Sequence, residues 1–288
     1  MITLKSIPRI ISISIASFFL AINLAIAPVS MSQTAVNTLT TVEETPTNQP
    51  DPYTSGGTKY EYGKGKNLTL TGFEDNNGDK FNLFRLVDQI NIKRSDNNNK
   101  QLVFFEGKAE TSNNIIELFP GADPTSVEAG AKSIMEDTLL SDIINRGSDN
   151  VFNNNTNATN FNNIERVDFV ATDGLSAPNP QQIGFLILER NGNDPFGIAP
   201  ITSIDGNGNP TAYGDLLPVG TNEWSDSGIG IDTQVLRDDN DDDRLRASAY
   251  VTGQTINSIF FSYEDLGITA DETFYGYSLF GGDVDSND

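Results

Sequence analysis

The chain contains no cysteine and no histidine. Without cysteine there is no disulfide, no thiolate metal site, no cysteine nucleophile and no lipidated N-terminal cysteine. Without histidine the commonest general base and the commonest transition-metal ligand are gone, which excludes a Ser-His-Asp triad and an ordinary structural zinc site. Positive charge is scarce as well: 18 Lys and Arg stand against 40 Asp and Glu, a formal net charge of −22 over 288 residues. Such a balance argues against nucleic acid and anionic membrane surfaces as partners. It favours a well-solvated surface and hard cations bound through oxygen.

Long hydrophobic runs are also few. One opens the chain: Lys5 and Arg9 precede an apolar stretch from Ile10 to Ile26. A positive segment followed by an apolar one reads as a secretory signal. Ala25-Ile26-Ala27 fits the small-x-small cleavage pattern but is followed by Pro28, whereas Ser30-Met31-Ser32 releases a chain beginning at Gln33. The expectation is a signal peptide over 1–32, a secreted or cell-surface protein, and no stable membrane insertion once the signal is cut; the alternative is an uncleaved anchor, since the stretch nears the length needed to span a bilayer. Residues 33–57 are mostly Thr, Pro, Asn, Glu and Ser. That composition reads as a disordered linker, because it offers little apolar surface to offset the entropy of ordering.

The longest apolar run of the remainder is Ile183-Gly184-Phe185-Leu186-Ile187-Leu188, ended by Asn191-Gly192-Asn193-Asp194-Pro195. Its internal glycine and its abrupt turn suit a central strand better than a helix. Upstream, Val167 and Phe169 alternate with Arg166 and Asp168, the pattern of a strand with one buried and one wet face. Downstream, Ile198 to Ile204 closes on Asp205-Gly206-Asn207-Gly208-Asn209-Pro210, a reversal signal, and Thr211 to Val219 returns. Further strands are expected at Asn67–Thr71, Phe81–Val87, Gln89–Arg94, Gln101–Gly107, Ile115–Phe119, Ile229–Leu236, Arg246–Val251, Ile256–Tyr263 and Thr273–Phe280. In the last of these Tyr275, Tyr277 and Leu279 share one face, with Phe274 and Phe280 on the other.

One stretch reads as a helix, from a cap at Asp123 and Pro124 to a stop at Arg146 and Gly147. The fold class expected is therefore mainly β: an antiparallel β-sandwich or jelly-roll-like domain with one accessory helix over about 124–146. Its single domain covers 58–284, with an acidic tail at 285–288.

At NIERVDFV, GFLILERNGNDPFGIAPITSIDGNGNPTAYG and FYGYSLFGGDV the chain resembles an uncharacterised β-rich domain of secreted, adhesin-like bacterial surface proteins. The resemblance runs from about Asn67 to Val284. It implies an exported β domain with a surface or adhesive role, and carries over no catalytic residue. Proteins of that kind continue into repeats and an attachment segment, so such parts are expected to be missing from this chain or cut away.

Three turns alternate oxygen-bearing residues as a calcium loop begins: Asp75-x-Asn77-x-Asp79, Asp205-x-Asn207-x-Asn209 and Asp238-x-Asn240-x-Asp242, the last followed by Asp243. An EF-hand also requires glycine at the sixth position and glutamate at the twelfth. The sixth positions are Lys80, Pro210 and Asp243, and the twelfth are Leu86, Leu216 and Ala249, so none qualifies. A β-loop calcium site is the remaining metal expectation, best carried by Asp238, Asn240, Asp242 and Asp243, then by Asp75, Asn77 and Asp79. The same residues also serve plain turns. Trp224, the one tryptophan, and Tyr213 are the candidate ligand-binding aromatics. The function expected is a non-catalytic extracellular surface or adhesion module that meets a polysaccharide or protein. The alternative is a secreted carbohydrate-active enzyme using two carboxylates, the one common hydrolytic mechanism that tolerates the missing histidine. Glu165, Asp168 and Glu189 lie on or beside the central strands and are its candidates.

Overall fold

The computed structural model describes residues 9–13, 33–45, 51–62, 65–83, 85–95, 102–110, 114–118, 134–149, 151–152, 163–238 and 245–282. They form a mainly β structure of two curled sheets stacked like a sandwich, as the strand patterning predicts. Numbered in chain order, the larger sheet runs β12 (Ile183–Arg190), β1 (Arg9–Ile13), β6 (Lys80–Leu83), β5 (Asn67–Asp75), β2 (Thr34–Glu44) and β17 (Leu245–Ser262). It continues through β16 (Ser225–Asp238), β8 (Leu102–Glu110), β9 (Ile115–Leu118), β4 (Thr58–Tyr62) and β3 (Tyr53–Ser55), with β10 (Arg146–Ser148) paired to β8. Because β12 also pairs with β17, its first six strands close into a ring. Most pairings are antiparallel; β1 lies parallel to β12 and to β6, and β4 parallel to β9.

The smaller sheet has the order β14 (Pro210–Tyr213), β13 (Phe196–Ile204), β18 (Phe274–Gly281), β11 (Ile164–Leu175), β7 (Gln89–Arg94), with β15 (Leu217–Val219) beside β13. It curls too. The Gln89 and Asn91 side-chain amides on β7 donate to the Asn207 and Gly208 carbonyls at the tip of the β13–β14 hairpin. Pro218 sits in β15, which among the described residues pairs with β13 alone, an edge position where a residue without an N–H is tolerated.

The apolar run of β12 has both faces covered. Phe185 and Ile187 join the core between the sheets with Val167, Phe169, Ile198 and Phe261. Leu186 and Leu188 point the other way, into a second core with Val36, Phe73, Phe81 and Phe260. An alternating strand buries one face, so a continuous apolar run is what burial on both requires. Phe81 stacks on Phe73 and meets Phe260 at centroid distances of 4.7 and 4.5 Å.

Several expectations are corrected. The stretch 33–57 is no linker where it is described: β2 pairs with β5 and β17, and Val36 and Leu39 are buried. Thr-Ala-Val-Asn-Thr-Leu-Thr-Thr-Val is rich in β-branched residues, which suit a half-buried pleated surface despite their modest hydropathy. Of the helix expected over 124–146, the described residues form α1 (Ile134–Leu139) alone. The segment beyond turns and enters β10, with Arg146 to Ser148 drawn onto β8; residues 124–133 lie outside the described residues, as do the tail at 285–288 and most of the expected signal. Within that signal Arg9–Ile13 is seated between β12 and β6, so its removal would leave both as edges. The two strands expected between 246 and 263 are one, β17. The second face of β11 is not wet: Asp168 is 1% exposed.

The aromatic alternation of β18 is broken as well. Phe274 and Tyr277 both pack on Phe185, at 6.1 and 4.3 Å, because the pairing with β11 shifts register between them. Gly276 makes the shift, with φ +106°, and a Cβ there would stand 2.0 Å from the Phe169 carbonyl oxygen. Gly276→Ala is therefore expected to destabilise the fold by about 2 kcal/mol or more, read as a fall of roughly 5 °C in a thermal melt. An unchanged midpoint would mean that the bulge does not hold the register of Phe274 and Tyr277.

Candidate functional site

At the C-terminal end of β12 the run of apolar residues gives way to Glu189 and Arg190, and the chain reverses at once. Asn191 and Gly192 both take positive φ, +80° and +60°. The Asn191 N–H donates to the Thr255 carbonyl on β17 at 2.8 Å. At Gly192 a Cβ would fall 2.8 Å from the Asn257 side chain and 2.9 Å from Trp224, so only glycine lets the turn lie this close. The Gly192 and Asn193 N–H groups donate to Glu189 Oε2. Trp224 covers the turn: its indole N–H donates to the Asp194 carbonyl at 2.9 Å and its ring packs on Phe196 at 5.2 Å.

Around this turn lies a half-open cavity of about 270 Å³. Its walls mix apolar side chains, among them Phe104, Phe152, Leu188, Phe196, Trp224 and Val235, with polar ones; its charged residues are Asp149, Glu189, Arg190 and Asp194.

The charges differ in how they are held. Arg190 donates to Asp149 and to the Thr233 hydroxyl, and its guanidinium lies 4.9 Å from the centroid of the Phe104 ring. Burial lowers the Arg190 pKa to about 10, Asp194 opposing the shift. The ion pair is mostly buried, with the Asp149 side chain 5% exposed. Its desolvation is offset by the pairing of the two charges, the hydroxyl and the aromatic face. Glu189 is half-buried, and its Oε1 has no protein hydrogen-bond partner among the described residues. Its pKa is pushed up to about 8, chiefly by burial and then by the Asp194 charge, against the two amide bonds that favour the carboxylate.

The residues singled out from sequence are dispersed. Trp224 lines the cavity; Tyr213 does not. Tyr213 packs on Phe280 beneath the Arg166 guanidinium, where burial pushes its phenol up to about 12. Of the three carboxylates considered for hydrolysis, Glu165 is exposed and paired with Lys93 at 2.9 Å. Asp168 accepts two bonds from Arg166 and one from the Ser278 hydroxyl at 2.6 Å, on the smaller sheet. Only Glu189 reaches the cavity. Asp149, Arg190 and Asp194 escaped the sequence reading, although an arginine directly after a buried run implies a carboxylate partner.

The acidic turns are occupied by their own backbone. Asp75 Oδ1 accepts the N–H groups of Asn77 and Asp79, both at 2.9 Å, and Oδ2 faces the Asn77 side-chain amide. Asp205 repeats the pattern with Asn207 and Asn209, and those bonds hold its carboxyl below the ordinary range. Asp238 ends β16, while Asn240, Asp242 and Asp243 lie outside the described residues. Among the described residues no cluster of three or more acidic side chains is arranged around a metal position. Nor is any helix among them long and apolar enough to cross a membrane.

Glu189 ties this site to stability. Its folded pKa of about 8 lies above the ordinary 4.5, so the folded chain holds the proton more tightly than the unfolded chain. The stability it contributes is present at acid pH and is lost as pH rises from about 4.5 through about 8. Glu189→Gln keeps the neutral shape, so its thermal midpoint relative to the parent is expected to rise between pH 5 and pH 9. A difference that stays flat across that range would show that the carboxyl is not desolvated.

No family model, no curated protein and no solved structure matches this chain.

Proposed function

We propose that the chain is a non-catalytic extracellular surface or adhesion module that binds its partner through the cavity beneath Trp224. The observation that carries this reading is the way the cavity's carboxylates are engaged. Asp149 is committed to Arg190, and one oxygen of Glu189 to two loop amides, so the walls form a preformed recess that mixes apolar side chains with a few fixed polar groups. That is the composition of a binding site. The resemblance to domains of adhesin-like bacterial surface proteins and the N-terminal signal pattern support export.

A second reading, a secreted carbohydrate-active enzyme, is favoured by one feature. Glu189 carries a proton at neutral pH beside Asp194, as a general acid would. The chain recovered from the medium, expected to begin at Gln33, should be retained on an extracellular polysaccharide or a cell-surface protein without releasing sugar. Sugar release by the parent chain that disappears in Glu189→Gln would replace the adhesion reading with the hydrolase. A calcium ion at Asp238, Asn240, Asp242 and Asp243 belongs to the same proposal. It is expected to raise the thermal midpoint reversibly on adding calcium and then excess chelator, by linkage to the folded state. An identical midpoint in both would remove calcium from it.

A further inference from the structure

The cavity around the β12 turn combines an apolar recess with an uneven set of charges. Asp149, Glu189 and Asp194 give −3 when ionised and Arg190 gives +1, a formal balance of −2. The residues facing Glu189 offer little to offset it. Arg190, next on the strand, points to the opposite face and is bonded to Asp149 and Thr233. From the turn comes Asp194, a like charge. From β17 come the uncharged Gln254 and Asn257, and from the loop before β16 Trp224; Asp149 is engaged with Arg190. Glu189 Oε2 is fixed by two N–H donors, which leaves Oε1 as the oxygen available to a guest. At about 270 Å³ the recess has room for one ring or one side chain.

We infer that the cavity binds a primary ammonium group carried on an apolar stem, with Glu189 Oε1 as the acceptor of its hydrogen bonds and the Phe196–Trp224 wall against its stem. This deepens the adhesion reading, since it rests on the cavity being the binding site and names what the site takes. An ammonium supplies the cation that Glu189 lacks. Its charge-assisted bonds reward the ionised carboxylate over the neutral acid. Two sources share this chemistry, a free amine and a lysine side chain on a partner protein.

A consequence is that the guest displaces a proton. Glu189 is largely protonated below pH 8, and a cation binds its ionised form, so affinity is coupled to pH.

The test is titration calorimetry of the whole chain with phenethylammonium and with its neutral counterpart 2-phenylethanol, at pH 6, 7, 8 and 9 in buffers of different ionisation enthalpy. The amine is expected to bind at least tenfold more tightly than the alcohol at pH 9. Its affinity should rise about tenfold per unit from pH 6 towards pH 8 and then level, with a buffer-dependent heat that reports one proton released. Glu189→Gln should remove both the proton release and the preference for the amine, its thermal melt serving as the control for folding. The amine–alcohol comparison on the parent chain carries the test even if that variant fails to fold. Equal affinity for amine and alcohol, a pH-independent amine affinity, or no binding of either overturns the inference. A short peptide with one central lysine separates the sources: tighter binding than the amine assigns a partner protein's side chain, weaker binding a free amine. Retention on a polysaccharide with no response to any amine would sink the ammonium site while leaving the adhesion reading intact.

Discussion

Burial of β12 on both faces is the constraint from which the architecture follows. A strand that alternates Phe185 and Ile187 with Leu186 and Leu188 has no face to give to water. The smaller sheet covers one side, and the curl of the larger sheet through β1, β6, β5, β2 and β17 covers the other. Each buried aliphatic or aromatic side chain contributes on the order of 1.5–3 kcal/mol by leaving water. Exposing either face would forfeit several such contributions at once, which is why the chain curls around this strand.

The same constraint produces the site. A strand buried on both faces must end somewhere, and the first polar residues after it emerge while still partly enclosed. Glu189 and Arg190 fall there, on opposite faces of β12. Arg190 is satisfied by Asp149, Thr233 and the Phe104 ring. Glu189 is satisfied at one oxygen by the turn that ends the strand. The turn folds tightly because Gly192 allows it to, and Trp224 closes over it with a hydrogen bond to the Asp194 carbonyl. A cavity with mixed walls and an incompletely engaged carboxyl results from stopping a hydrophobic strand inside the protein.

Turn chemistry was the most legible level. Asp75 and Asp205 bind the backbone two and four residues on, as Asp-x-Asn-x-Asp/Asn turns are built to do. β7 matches its expected limits and the central strand is close to them, because both are short-range patterns bounded by Gly, Asn and Pro. The site was legible only in parts. Trp224 and Glu189 stood out by residue type. Their neighbour Asp149 did not, since it lies 41 residues from Arg190 in sequence and meets it only because β10 lies along β8. Tyr213 was an equally plausible aromatic, yet the curl of the smaller sheet puts it under Arg166.

By itself, the sequence determined the β class, the positions of most strands, the reversals between them, and the chemistry that missing cysteine and histidine forbid. These depend on periods and turn residues that act over a few positions. Tertiary structure alone decided that Thr34–Glu44 is a core strand, that one glycine bulge brings Phe274 and Tyr277 to the same side, and that Asp168 is buried against Ser278. It also brought Asp149, Glu189 and Asp194 to one cavity. Each of those outcomes depends on which distant strand lies alongside, and pairing is settled by how much apolar surface the whole arrangement removes from water.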